Sequence, residues 1–79
     1  MSKTYNGHKN YNHWNVSLWI NNDEGLYRMA QNFIERYPRV GRMKQAALML
    51  DRLHDEGIKR TPDGALYSVS SIRAAMVGM

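Results

Sequence analysis

The stretch that most constrains the fold is residues 11–37, which contains both tryptophans, the only phenylalanine and three of the five tyrosines. No other part of the 79-residue chain carries comparable apolar mass. Burying one large aromatic side chain contributes about 1.5–3 kcal/mol to folding. We therefore expect the core to be built around this stretch, with Trp14 and Trp19 inside it. The alternative for the two tryptophans is an exposed platform on which bases stack, beside basic residues.

Apolar residues recur at helical intervals in this stretch and predict two consecutive helices. The first helix begins at a cap supplied by Asn10 or Asn12, whose side chain accepts a hydrogen bond from a free backbone N–H, and it runs to about Asn21. Residues 21–24 then supply a new cap and first-turn acids. The second helix ends before Pro38, because proline has no N–H to continue the helical ladder.

A third helix follows a short connection and ends near Glu56. Gly57 is the predicted left-handed residue after it, and Ile58 gives the hydrophobic contact of a Schellman end. A wide apolar stripe predicts a central helix that touches neighbours on two sides. This stripe, which also includes a structural histidine, consists of Met43, Ala46, Ala47, Leu50, Leu53 and His54.

The last part of the chain predicts a reversal followed by one more helix. Residues 59–64 contain Pro-Asp-Gly, which is typical of a turn. Ser68 or Ser70 then caps a short fourth helix. The polar residues 1–10 form an extended lead-in. The sequence therefore predicts an all-α fold over residues 1–79: a single helical domain, built as a compact bundle of about four short helices with an extended N-terminal lead-in.

The net charge of +4 and the pI near 9.7 favour an anionic partner: nucleic acid, a nucleoprotein or an acidic protein face. Solubility alone is the alternative reason for such a charge. The chain has no cysteine, which fits a reducing compartment, and no run of about 18 apolar residues that would cross a membrane. We therefore expect a cytoplasmic protein. A small core without disulfides gives little stability, so a monomer and a weak homodimer both stay open.

The sequence shows no recognisable catalytic, metal-binding or cofactor-binding device. Its glycines are spread singly and form no phosphate-binding loop. The adjacent acids Asp23 and Glu24 diverge on a helix, which makes them a poor acid–base pair. His8 and His13 have no third ligand nearby, so we expect solvated histidines and no zinc site. The serines have no triad motif around them. We therefore expect no cofactor and no enzymatic activity.

Four cations lie within nine residues at the junction of the second and third predicted helices, and they form the candidate partner-binding site: Arg36, Arg39, Arg42 and Lys44. The functional interpretation is an anion-binding patch, and the alternative is ordinary surface charge beside a turn. Two helices joined by a short turn also fit a helix-turn-helix. The protein is then a small DNA-binding regulator, in which Arg39, Arg42 and Lys44 contact phosphates and Gln45 contacts a base edge.

Residues 10–27 carry the motif Asn-Tyr-x-x-Trp-Asn-Val-x-Leu-Trp-Ile-x-Asn-Asp-Glu-Gly-Leu-Tyr. This motif resembles a family of short proteins carried by phages and plasmids. Where that family has Asn-Tyr-Glu-Thr-Trp, this chain has Asn12 and His13, which removes an acid from the first turn of the first helix. The departure matters little for the fold that the resemblance implies.

Small helical proteins from such mobile elements are similar to host-defence inhibitors, among them the anti-CRISPR proteins. The resemblance implies a non-enzymatic inhibitor in the host cytoplasm that binds a type I CRISPR effector complex such as Cascade and blocks target DNA recognition. The positive net charge argues against mimicry of DNA, which needs an acidic surface. The implied contact is an acidic protein face of that nucleoprotein complex, and direct contact with nucleic acid stays open. The resemblance assigns no functional residue, so the candidate site rests on the charge cluster.

Overall fold

The computed structural model describes residues 10–79, and helices account for most of them. In chain order these helices are α1 (Tyr11–Asn22), α2 (Glu24–Arg36), α3 (Gly41–Asp55) and α4 (Val69–Met76). The described residues contain no strand beyond an isolated bridge between Arg60 and Leu66. The predicted all-α bundle of about four short helices is confirmed. The predicted lead-in lies, except for Asn10, outside the described residues.

Asp23 separates α1 from α2, and it closes one helix while it opens the next. Its backbone N–H donates to the carbonyl oxygen of Trp19 at 2.9 Å, and its carboxylate accepts from the N–H of Leu26 at 3.0 Å. At the other end of α1, Asn10 Oδ1 accepts from the N–H of His13 at 3.0 Å, so Asn10 is the cap. The one-residue link between the helices leaves α2 packed directly against α1.

The C-terminus of α3 has the Schellman geometry that the sequence predicts. Gly57 has a φ of 77°. Its N–H donates to the carbonyl oxygen of His54 at 2.9 Å, and the N–H of Ile58 donates to that of Leu53 at 2.8 Å. Glycine adopts this left-handed conformation without a steric penalty. The chain therefore leaves α3 abruptly and turns back over the bundle.

The core is formed by small and aliphatic side chains from all four helices, together with Ala65 and Tyr67 from the segment between α3 and α4. α4 packs against α1 and α3, and α2 packs against the same two helices. The prediction that Trp14 and Trp19 lie in the core is wrong, since both are half-buried. α1 instead turns Val16 and Ile20 inward, which leaves the indoles at its edges. The buried apolar residues are Val16, Ile20, Ala30, Ala46, Met49, Leu53, Ala65, Tyr67, Ile72, Ala75 and Met76.

The buried face of α3 is rotated relative to the predicted stripe. Met43 is 63% exposed and His54 is also exposed, whereas Gln45 is fully buried. Gln45 Nε2 donates to the carbonyl oxygen of Tyr37 at 2.8 Å and lies 3.5 Å from that of Ile34. These bonds offset the cost of burying an amide. A polar residue therefore occupies a core position that the hydrophobic pattern assigned to the surface.

The segment between α3 and α4 reverses the chain, as the sequence predicts. The N–H of Tyr67 donates to the carbonyl oxygen of Lys59 at 3.0 Å, which ties the two ends of this segment together. Ser68 then caps α4: its Oγ accepts from the N–H of Ser71, and Ser71 Oγ accepts from the N–H of Ser68. Among the described helices, none has the length and apolar content that spanning a bilayer requires.

Candidate functional site

The four predicted site residues lie where α2 passes into α3. Arg36 ends α2 and Arg39 lies in the connection. Arg42 and Lys44 belong to the first turn of α3, which begins at Gly41 with a φ of 84°. Arg36, Arg39 and Lys44 are exposed, and Arg42 is half-buried. The two ion pairs within residues 10–79 involve none of these four cations, and the exposed charges of Arg36, Arg39 and Lys44 are available to a partner.

Arg42 differs from the other three cations because it holds tertiary structure. Its Nη1 donates to Gln45 Oε1 at 2.9 Å, and its Nη2 donates to the carbonyl oxygen of Met79 at 3.2 Å. Gln45 is itself bonded to Tyr37. Arg42 therefore joins the start of α3 to the segment after α4. The buried Gln45 connects Arg42 in turn to the backbone of Tyr37, at the end of α2. The predicted contact of Gln45 with a base edge is wrong for this fold, because its amide is buried and bonded.

Exposed apolar side chains accompany the cations at this end of the molecule. Val40 is 46% exposed and Met43 is 63% exposed. Val77 is 73% exposed, and it precedes by two residues Met79, whose carbonyl oxygen accepts the hydrogen bond from Arg42. We define the junction surface by these residues together with the four cations: Arg36, Arg39, Val40, Arg42, Met43, Lys44 and Val77.

The apolar part of the junction surface was not predicted from the sequence, although the sequence contains a signal for it. Met43 was assigned to the core stripe of α3 because it fits a helical spacing. Val40 lies between Arg39 and Gly41, in a turn where an apolar side chain has no helix face to join. Val40 and Met43 are three residues apart in the chain, one just before α3 and one in its first turn. An apolar pair beside a cationic turn indicates a contact surface.

A polar cluster joins α1 to the turn between α3 and α4. Asp63 Oδ2 accepts from Asn15 Nδ2 and from Trp19 Nε1, each at 2.9 Å. Thr61 Oγ1 donates to Asn15 Oδ1 at 2.6 Å and accepts from the N–H of Ala65 at 3.0 Å. Asn15 and Thr61 are buried, and no buried side-chain polar atom within residues 10–79 lacks a partner. We call Asn15, Trp19, Thr61 and Asp63 the polar cluster.

The polar cluster gives a structural role to part of the motif over residues 10–27. The hydrogen bonds from Asn15 and then Trp19 lower the pKa of Asp63, because both N–H groups stabilise the carboxylate, while burial opposes this shift. Asp63 therefore stays ionised and keeps both donors in place. Asn15 and Trp19 serve the fold through these bonds, so their presence in the motif does not require a partner.

His13 and Ser70 form a pair that the sequence did not indicate. His13 Nε2 lies 2.9 Å from Ser70 Oγ and links α1 to the first turn of α4. His13 is half-buried, which corrects the expectation of a solvated histidine, and His8 lies outside the described residues. Neither member of the pair lines the two surface grooves described below. Within residues 10–79, no group of three or more His, Asp or Glu side chains is placed to hold a metal ion.

Comparison with known proteins gives one result. The model of DUF7249, a family of unknown function, matches residues 1–79. The chain belongs to this family. No curated protein and no solved structure gives a significant match. The family description assigns no activity.

A shallow apolar groove lies beside the polar cluster. It has a volume of about 410 Å³, and its lining includes Trp19, Leu26 and Tyr67, with Asp23 and Arg60 as the charged members. Burial raises the pKa of Tyr67, and the negative charge of Asp23 adds to this effect, so the phenol stays neutral at neutral pH. The groove explains the half-buried state of Trp19. Its indole N–H is bonded to Asp63, and the groove leaves part of its ring open to solvent.

Proposed function

We propose that this protein is a non-enzymatic anti-CRISPR protein of phages or other mobile elements. It acts in the host cytoplasm, where it binds a type I CRISPR effector complex through the junction surface and blocks recognition of target DNA. The observation that carries the proposal is the junction surface itself, which combines exposed Val40, Met43 and Val77 with cations that have no ion-pair partner in the described chain.

This combination favours a protein partner over duplex DNA. Protein interfaces have an apolar centre within a polar rim, and aliphatic side chains at the centre gain from leaving water. Phosphate contacts need no exposed Met43 or Val77. The DNA-binding alternative also loses Gln45, its base-reading residue, to the core. The junction surface would be complemented, in charge and in apolar character, by a face of an effector subunit that has acidic residues around an apolar patch.

The same charges disfavour a homodimer built on the junction surface. A two-fold dimer brings the same patch of both copies together. Arg36, Arg39 and Lys44 would then face their own copies across the interface, and like charges repel. We therefore expect a monomer that uses this surface for a different protein.

The test measures target DNA binding by purified type I effector complexes in the presence of the protein. The wild type should bind one effector subunit and suppress target binding. The variant Arg39→Glu/Lys44→Glu should lose this inhibition while its melting temperature stays unchanged, because exposed charges contribute only about 0–1 kcal/mol to folding. Lys59→Glu is the control, since Lys59 is an exposed cation just beyond the opposite end of α3.

Two results would overturn this proposal. One is the absence of binding to every effector subunit, with phage still restricted in cells that express the protein. The other is full inhibition by Arg39→Glu/Lys44→Glu. A shift of duplex DNA without the effector, weakened steeply by salt, would favour the DNA-binding regulator, because phosphate contacts release counterions.

A further inference from the structure

A second concave surface runs along α2 to Arg52 of α3, and its lining is mostly polar and includes three arginines. It has a volume of about 650 Å³, within the range of about 300–1,000 Å³ that small-molecule sites occupy. Its charged members are Arg28, Glu35 and Arg36 from α2 and Arg52 from α3. It shares only Arg36 with the junction surface. Three arginines and one acid line this groove, and two of the arginines are paired with Glu24 and Glu56. We call it the α2–α3 groove.

The arginines of the α2–α3 groove are available to an anionic ligand. Arg36 forms no ion pair within residues 10–79. Arg28 Nη2 lies 2.8 Å from Glu24 Oε2, and Arg52 Nε lies 2.6 Å from Glu56 Oε2, and all four side chains are substantially exposed. Exposed ion pairs are weak, and a guanidinium has five N–H donors. Each arginine can therefore donate to a phosphate while it keeps its glutamate or exchanges it.

Aromatic and amide side chains lie beside these arginines. The rings of Phe33 and Tyr37 stack with their centroids 6.2 Å apart and their planes 19° from parallel. Tyr37 is 39% exposed and Phe33 is half-buried, so Tyr37 presents the accessible ring. Asn32, which also lines the groove, is exposed. An open aromatic ring can stack on a base, and an amide can bond to a base edge.

We propose that the α2–α3 groove binds single-stranded nucleic acid. The phosphates lie along Arg28, Arg36 and Arg52, and one base stacks on Tyr37. A duplex keeps its base faces stacked inside the helix and leaves Tyr37 unused. An acidic peptide pairs with the arginines but makes no use of the aromatic stack. The combination of cations, accessible ring and amide in one groove therefore favours a single strand. This inference does not depend on the partner of the junction surface.

The test measures the binding of fluorescent single-stranded RNA and DNA of about ten nucleotides by anisotropy at low salt. The key variant is Arg28→Gln/Arg52→Gln, which leaves every residue of the junction surface intact. Its matched control is Lys59→Gln/Arg73→Gln, which removes two exposed charges outside the groove. The wild type and the control should bind equally. The groove variant should bind about tenfold more weakly. The slope of its log K against log salt should also be shallower by about 1.4, because two phosphate contacts are lost and each contributes about 0.7 on a single strand.

Tyr37 provides a separate readout for stacking. Tyr37→Ala should weaken single-strand binding by about tenfold, whereas Tyr37→Phe should keep it, because phenylalanine retains the stacking ring. All variants should first be shown to melt like the wild type. The inference is overturned by no binding at low salt, by equal affinity of Arg28→Gln/Arg52→Gln and wild type, or by equal or tighter binding of duplex DNA or poly-glutamate. None of these results bears on effector binding by the junction surface, so the two proposals fail separately.

Discussion

The polar cluster and the junction surface use polar side chains in opposite ways. In the polar cluster, Asn15 and Thr61 are buried, and each of their buried side-chain polar atoms has a hydrogen-bond partner. On the junction surface, Arg39 and Lys44 are exposed beside Met43 and form no ion pair within residues 10–79. Satisfied buried groups stabilise one fold, whereas exposed charges beside apolar side chains contribute little to folding. Substitutions in the two regions should therefore separate stability from binding.

The largest expected effect is from Asn15→Asp in the polar cluster. The new carboxylate would be buried, would replace a donor 2.9 Å from Asp63 Oδ2, and would repel that carboxylate. An uncompensated buried charge typically costs about 3–5 kcal/mol, and urea unfolding measures the loss. Asn12→Asp is the matched control, since it adds the same charge at an exposed position of α1. Equal stabilities of the two variants would show that the polar cluster does not hold the fold.

Arg42→Gln should give the next largest loss of stability. It removes the bonds to Gln45 and to the carbonyl oxygen of Met79, and one intramolecular hydrogen bond contributes about 0.5–1.5 kcal/mol. Lys44 forms no side-chain hydrogen bond or ion pair within residues 10–79, so Lys44→Gln removes the same charge and its unfolding free energy should match the wild type. If both variants melted alike, Arg42 would belong with the exposed cations of the junction surface.

The loss of stability caused by Asp63→Asn should depend on pH. The native hydrogen bonds lower the pKa of Asp63, so its contribution to stability is fully present above the unfolded pKa and is lost as pH falls through the lower folded pKa. The difference in melting temperature between wild type and Asp63→Asn should therefore hold from neutral pH to about pH 5 and shrink below about pH 4. Asp51→Asn, an exposed carboxylate on α3, is the control. A difference in melting temperature that did not change with pH would show that the hydrogen bonds to the ionised carboxylate are not its cause.

The smallest effect on stability is expected from Met43→Ser on the junction surface. Exposed substitutions usually change the unfolding free energy by less than about 0.5 kcal/mol. The same change should weaken binding to the effector complex, because it removes an apolar side chain from the proposed interface centre. Leu18→Ser is the matched control, since Leu18 is an exposed apolar residue of α1 outside the junction surface. A Met43 variant that unfolded easily would place this residue in the core, as its spacing had predicted.

Caps and breakers could be predicted from the sequence because they act over a few residues. Asn10, Pro38 and Gly57 set helix ends through bonds or dihedral angles that depend only on their neighbours in the chain. The cluster of Arg36, Arg39 and Lys44 could be predicted for the same reason, because these residues are close together in the chain. All three are exposed in the structure. The sequence predicts Arg42 as one more exposed charge. Its tertiary role could not be predicted, because its bond to Met79 joins residues 37 positions apart.

The sequence by itself determined the number of helices, most of their ends, and the cationic turn between α2 and α3. Only the tertiary structure decided which side of each helix is buried, because a buried amide such as Gln45 and an exposed Met43 both break the hydrophobic pattern. It also decided that Asn15 and Trp19 meet Asp63, across 48 and 44 positions of the chain. Helical periodicity specifies the spacing of side chains along one element. Burial and long-range hydrogen bonds depend on how the elements pack together.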